Sequence, residues 1–263
     1  MKVFTKVNRL KASFTLVLTL LLLTIGCNHG YLERRVAGDL IRVDSASAPI
    51  PDPAIDSIIS IYREKLMVQM NQVIARSPFA MHRASPEGLL NNFVADVVFE
   101  YAKSENKYHD GQPLDFCLLN YGGLRSSLPA GDITVGNVFE LMPFDNTIVV
   151  ITLTGKKTQE LFKYLASETN GMPISGLRMG IQEKSPVNIE INGQPFDPNR
   201  NYKVVTSDYL SLGGDRMTFF LEPVSYELLG MQIRDAILLH MKKQTLQGKE
   251  IFSKLDGRLY LKN

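Results

Sequence analysis

The run Thr147-Ile148-Val149-Val150-Ile151-Thr152-Leu153 governs how the chain is read. All of its residues but the last are β-branched, which suits the pleated backbone of a strand and disfavours helix. Thr154 follows as an N-cap, and Leu161, Phe162 and Leu165 recur at three- and four-residue steps, so the strand passes straight into an amphipathic helix. Upstream, Pro143-Phe144-Asp145-Asn146 is turn chemistry, and Asp132-Ile133-Thr134 caps a short helix ending at Leu141. Further back, a short buried strand, Phe116 to Leu119, runs into the loop Asn120-Tyr121-Gly122-Gly123-Leu124-Arg125, whose glycines permit unusual backbone angles. Two amphipathic helices precede it. One follows Asp52-Pro53 and carries Ile55, Ile58, Ile59, Tyr62, Leu66, Met70 and Val73; the other carries Leu90, Phe93, Val94, Val97 and Tyr101. Downstream, Val187 to Ile191 meets Asn192-Gly193, a hairpin signal, with Tyr202 to Thr206 as the expected return strand. A Gly213-Gly214-Asp215 turn and a helix over 230–244 complete the pass. Strands and helices are mixed throughout, which predicts an α/β (α+β) domain of mixed sheets with helices.

The composition agrees with a folded domain. Among 263 residues, 44% are hydrophobic and 21% charged, which excludes collagen, coiled coil and low-complexity disorder. The formal charge of +2 comes from the N-terminus, where Lys2, Lys6, Arg9 and Lys11 stand without an acid; residues 27–263 hold 25 basic and 27 acidic residues, a net of −2. Such a balance carries no footprint for nucleic acid. The uncharged, leucine-rich stretch from Ala12 to Gly26 is short for a membrane span and suits the core of a signal peptide. It ends Leu23-Thr24-Ile25-Gly26-Cys27, which resembles a bacterial lipobox. Lipidation of Cys27 is the expectation, and an ordinary cleaved leader with an incidental cysteine is the alternative. The expected organisation is a signal peptide over 1–26, a tether over 27–54 with a short strand at Leu40 to Val43, and one domain over 55–263, held at the cell envelope (periplasmic face or outer membrane and surface) by a lipid anchor. The remaining Cys117 lies in an apolar run and reads as a core residue.

Several segments, in order, resemble the C-terminal domain of the 5′-nucleotidase family. They are Asn120 to Arg125, Pro129-Ala130-Gly131-Asp132-Ile133-Thr134, Leu141-Met142-Pro143-Phe144-Asp145-Asn146-Thr147, Ile174-Ser175-Gly176-Leu177-Arg178, and Ser207-Asp208-Tyr209-Leu210-Ser211-Leu212-Gly213-Gly214-Asp215. Asn91-Asn92-Phe93-Val94-Ala95-Asp96 is similar to a helix of the same domain. The resemblance covers residues 55 to about 255. It implies a domain that binds a nucleotide and delivers it to a separate N-terminal domain holding a dinuclear metal centre.

The resemblance also implies roles. Phe144 and Tyr209 match two aromatics that sandwich the base; the second is usually phenylalanine in the family, and tyrosine keeps the flat face. Stacking on an aromatic contributes about 1–3 kcal/mol per base. Asp215 matches a ribose-binding aspartate, whose carboxylate accepts from hydroxyls. Asn120 and Asn146 match positions near the base, where an amide both donates and accepts. Arg125 matches a substrate-contacting arginine, whose guanidinium can pair with phosphate bidentately. A second arginine is expected just before the helix near Leu89, and Arg83 stands nearest.

The metal-ligand motifs of the family, Asp-x-His, Gly-Asn-His-Glu and Gly-His-x-His, are not matched. The four histidines, His29, His82, His109 and His240, are scattered. No Gly-x-Ser-x-Gly elbow is present, and Leu153-Thr154-Gly155-Lys156-Lys157-Thr158 lacks the glycine spacing of a phosphate loop and reads as a strand-to-helix turn. The expectation is a nucleotide-binding half of a 5′-nucleotidase-type phosphohydrolase, with no metal or other cofactor in this chain and divalent metals on a partner metallophosphoesterase. Nucleotide or nucleoside is the expected ligand, and nucleic acid is not. A non-catalytic envelope lipoprotein that captures nucleosides or nucleotides is one alternative, and a structural surface protein keeping an old fold is another.

Overall fold

The computed structural model describes Gly38 and residues 52–106, 112–168 and 170–262. The expected signal peptide, Cys27 and the strand at 40–43 lie outside the described residues. Residues Pro53–Asn263 form one compact unit.

In chain order the elements are α1 (Pro53–Met70), β1 (Val73–Ser77), α2 (Leu89–Asn106), β2 (Phe116–Leu118), a 3-10 turn (Tyr121–Gly123), β3 (Gly131–Thr134), α3 (Val135–Leu141), β4 (Thr147–Leu153), α4 (Gly155–Ser167), β5 (Ile174–Ser175), β6 (Leu177–Gln182), β7 (Ser185–Ile191), β8 (Gln194–Pro195), β9 (Tyr202–Ser207), a helical turn α5 (Asp208–Ser211), β10 (Ser225–Gln232), α6 (Ile233–Leu246) and β11 (Leu259–Leu261). The central sheet has the order β10-β4-β9-β2-β5 and is mixed: β2 and β9 run parallel, the other neighbours antiparallel. A second sheet has the order β11-β6-β7-β8, and β1 pairs with β3 alone.

The β-branched run is apolar at nearly every position because the central sheet is covered on both faces. Ile148 and Val150 of β4 join one core with Cys117, Val205 and side chains of α2 and α6, among them Phe93, Val97, Ile237 and Met241. Val149, Ile151 and Leu153 join a second core with Phe116, Val204, Leu161 and Phe162 from α4, and Leu177 and Met179 from the second sheet. Alternate side chains of one strand thus serve opposite cores. Cys117 is fully buried, and burial pushes its thiol far above the ordinary range, with the charge of Asp96 adding to the shift.

Three sequence-based expectations are corrected. The Asn192-Gly193 hairpin forms, both residues at positive φ (50° and 74°), but its return strand is Gln194–Pro195; Tyr202–Ser207 crosses to the other sheet and inserts between β4 and β2. The last helix starts at Ile233, because Ser225–Gln232 pairs with β4 as an edge strand. Val73 leaves the first helix for β1, where it pairs with Thr134, so Asp132 to Thr134 is itself strand before Thr134 caps α3. The apolar residues of α1 remain exposed, with no residue of that helix buried. At the end of β4, Thr154 accepts from the Lys157 amide and caps α4 as expected, and Gly155 packs against the Pro198 carbonyl, where a Cβ would collide.

Candidate functional site

One cleft, of about 330 Å³, is lined by Asn120, Gly122, Arg125, Phe144, Asn146, Tyr209 and Asp215. Its size lies at the small end of ligand pockets. The walls come from three loops at the same end of the central sheet's strands, after β2, before β4 and after β9. Side chains far apart in sequence are therefore held on one frame.

The loop after β2 begins at Asn120, which precedes the 3-10 turn. Gly123 is buried, and a Cβ there would fall 2.8 Å from Asn120 Oδ1, so any larger residue would push the Asn120 amide out of its place in the cleft. The backbone N–H of Arg125 donates to the Leu141 carbonyl at 2.8 Å, tying this loop to the end of α3. The Arg125 Nη1 donates to the Gly122 carbonyl at 3.3 Å.

The Phe144 loop is gripped from below by Arg234, which sequence reasoning missed. Its Nη1 donates to the carbonyls of Met142 (3.4 Å) and Phe144 (3.3 Å), and its Nη2 to Asp145 Oδ1 (2.6 Å) and Gln232 Oε1 (3.0 Å). The guanidinium lies 4.4 Å over the Phe139 ring. The signal was legible in principle: Arg234 stands in register with the buried Ile237 and Met241, a charge on the apolar side of α6. Such a charge requires partners.

The Tyr209 loop is aligned to the Phe144 loop by Asp208. Its Oδ1 accepts from the backbone N–H of Tyr209 (2.7 Å) and of Thr147 (3.1 Å), bridging α5 to the start of β4. Ser207 caps α5 by accepting from Leu210 N–H. Gly213 has φ +86°, and a Cβ on Gly214 would sit 2.6 Å from the Tyr209 ring. Phe144 and Tyr209 are 41% and 44% exposed. Their rings face solvent in the cleft instead of filling a core.

Asp215 sits at φ +51°, a conformation that non-glycine residues adopt rarely. Four contacts hold it there. Its Oδ1 accepts from the Tyr209 hydroxyl (2.8 Å) and its Oδ2 from Asn120 Nδ2 (2.6 Å). Its N–H donates to the Tyr209 hydroxyl (3.3 Å), and its carbonyl accepts from the Tyr164 hydroxyl (3.0 Å). Donation to the Asp215 carboxylate raises the Tyr209 phenol above its ordinary value, and burial, then the charge of Glu168, pushes Tyr164 up to about 12. Both phenols therefore remain protonated donors at neutral pH.

Six of the seven residues expected at the site line this one cleft. Arg83 does not. Its Nη1 donates to the carbonyls of Leu124 (2.8 Å) and Tyr121 (3.3 Å), and its guanidinium lies 4.4 Å over the Tyr121 ring, so it braces the Asn120 loop from outside the cleft. A larger cleft of about 470 Å³ passes Leu165, Met172, Ile181 and Leu259, and its lining has no aromatic face for a base.

The cleft is chemically a binding set: two flat rings, two amides, one guanidinium and one carboxylate. Among the described residues, no three His, Cys, Asp or Glu side chains converge as a metal centre. The single cleft carboxylate already holds two donors, and a guanidinium lines the same cleft, so these residues do not fit a dinuclear metal centre.

The family model "5′-nucleotidase, C-terminal domain" matches residues 68–222. An apyrase of Tabanus yao is 26% identical over 236 residues, covering 79% of this chain and 42% of its own length. Protein UshA of Escherichia coli is 34% identical over 108 residues, which is 38% of this chain and 19% of UshA. The crystal structure of a 5′-nucleotidase precursor from Thermus thermophilus superposes with a TM-score of 0.67 at 26% identity, over 81% of this chain and 44% of that one. The chain thus spans less than half the length of each of these relatives.

Proposed function

Because the chain belongs to the 5′-nucleotidase C-terminal domain family, we propose that its cleft binds a nucleotide or nucleoside for a phosphohydrolase reaction. The base lies between Phe144 and Tyr209, with Asn120 and Asn146 at its polar edge. The sugar hydroxyls meet Asp215, and phosphate lies toward Arg125. The observation that carries this reading is the convergence of these six side chains, from three separate loops, on one solvent-open cleft. Hydrolysis is assigned to a metallophosphoesterase unit lying outside residues 53–263, which would place divalent metals on that unit.

The proposed setting is the cell envelope. Acylation of Cys27 would anchor the chain, since each buried methylene contributes about 0.8 kcal/mol, and residues 27–54 would act as the tether. Holding both units at one membrane raises their effective concentration and offsets a weak contact between them.

The reading is tested by calorimetry of the purified chain with AMP and adenosine, followed by phosphate release from AMP with and without an added metallophosphoesterase. Binding by the chain, with phosphate released faster when both units are present, is the expected result. Failure to bind either ligand refutes the reading. A second reading, capture without hydrolysis, is favoured by the character of the cleft, whose groups bind without offering a nucleophile paired to a base. It predicts binding with no acceleration by any added phosphoesterase.

A further inference from the structure

The Asp215 carboxylate is oriented before any ligand arrives. One oxygen is held by the Tyr209 hydroxyl at 2.8 Å and the other by the Asn120 amide at 2.6 Å. The same Tyr209 oxygen accepts from the Asp215 N–H at 3.3 Å, so backbone and side chain of Asp215 are pinned by one phenol. The strained φ of +51° gives this pinning something to resist. Each carboxylate oxygen has two acceptor positions. One on each is used, and one on each is left. A pair of adjacent sugar hydroxyls presents two donors that match this remaining pair.

A phenylalanine at 209 would offer the same flat face and none of this restraint. Loss of the hydroxyl frees Asp215 Oδ1 to rotate and removes an acceptor for the Asp215 N–H. The ring serves the base; the hydroxyl serves the carboxylate.

Resting on the nucleoside-binding reading above, we propose that the Tyr209 hydroxyl is a positioning and specificity-determining group. It holds Asp215 so that the site selects ligands with an intact vicinal diol over deoxy analogues. A ligand without the diol covers the carboxylate and leaves its two remaining acceptor positions without donors, and sites built around a substrate hydroxyl reject analogues that lack it.

The test is calorimetry of the wild-type chain, Tyr209→Phe and Asp215→Asn, each with adenosine and with 2′,3′-dideoxyadenosine. The quantity read is the ratio of the two affinities, since a general loosening of the loop weakens both ligands together and leaves their ratio unmoved. The wild type is expected to prefer adenosine by roughly 10- to 150-fold, one charge-assisted hydrogen bond's worth. Asp215→Asn marks the ratio without a carboxylate, and Tyr209→Phe is expected to move most of the way to it. Thermal unfolding of both variants confirms that they fold. An unchanged ratio in Tyr209→Phe overturns the inference while leaving nucleoside binding intact. A ratio that rises also overturns it, because the hydroxyl would then be competing with the sugar. Absence of adenosine binding in the wild type overturns both this inference and the reading beneath it.

Discussion

Phe144→Ala is expected to weaken nucleoside binding sharply while costing little stability. The ring is 41% exposed, and the turn that carries it is held through backbone carbonyls by Arg234. Full burial of such a side chain contributes about 1.5–3 kcal/mol, so truncating a partly exposed ring costs about 1 kcal/mol. In a domain of about 200 residues that lowers Tm by roughly 2–4 °C. Phe162 supplies the contrast. It is fully buried in the second core, and Phe162→Ala is expected to cost about 3–5 kcal/mol. The binding side of the comparison runs the other way. Loss of one stacking face removes about 1–3 kcal/mol, roughly a 5- to 150-fold rise in Kd for adenosine. Thermal unfolding and calorimetry on the two variants and the wild type measure both quantities. Adenosine affinity unchanged in Phe144→Ala refutes the stacking role. A Tm loss equal to that of Phe162→Ala shows that the ring belongs to the fold.

Arg234→Met is expected to lower both Tm and adenosine affinity, although Arg234 lines no part of the cleft. The substitution strips the Met142 and Phe144 carbonyls of guanidinium bonds of 3.4 and 3.3 Å, which at that length contribute about 1.5–3 kcal/mol together, and unaltered binding would refute the support role. Cys117→Ala is expected to flatten the alkaline loss of stability. The folded thiol is raised above its ordinary 9.0, so the unfolded chain releases its proton first and stability falls as pH rises past about 9, by up to roughly 1.4 kcal/mol per pH unit. Urea midpoints at about pH 8 and about pH 10.5 read the slope, and equal slopes in wild type and variant refute the assignment.

Strand neighbours were the part of the fold least legible in the sequence. Asn192-Gly193 signals a turn from local backbone preference alone, and that turn is present. Its consequence for Tyr202–Ser207 could not be read locally, because this strand pairs with β4 and β2, both distant in the chain. Side-chain periodicity states which faces are apolar and leaves open which strand lies alongside. Ser225–Gln232 escaped for a related reason: exposure alternates along this edge strand, but apolar Tyr226 and Leu228 stand on its exposed side and Glu227 on its half-buried side, so residue type does not mark it.

For the site, the candidate residues came from the family resemblance, and turn-forming Pro, Asn, Asp and Gly marked the loops around Phe144 and Asp215, where side chains can project; Tyr209 stands in the helical turn α5 directly after β9. That six of the candidates share one cleft was settled only by the long-range pairing of β2, β4 and β9, which brings three loops to the same end of the sheet. Arg83 shows the converse: the family resemblance expects an arginine just before the second helix and Arg83 stands nearest, but in the folded chain its guanidinium is held by the Tyr121 and Leu124 carbonyls. Local propensity acts over a few residues and chooses elements and turns. Which polar groups meet, as Tyr209 and Asn120 meet Asp215, is decided by the burial of two cores around a single sheet, a constraint that acts on the whole chain at once.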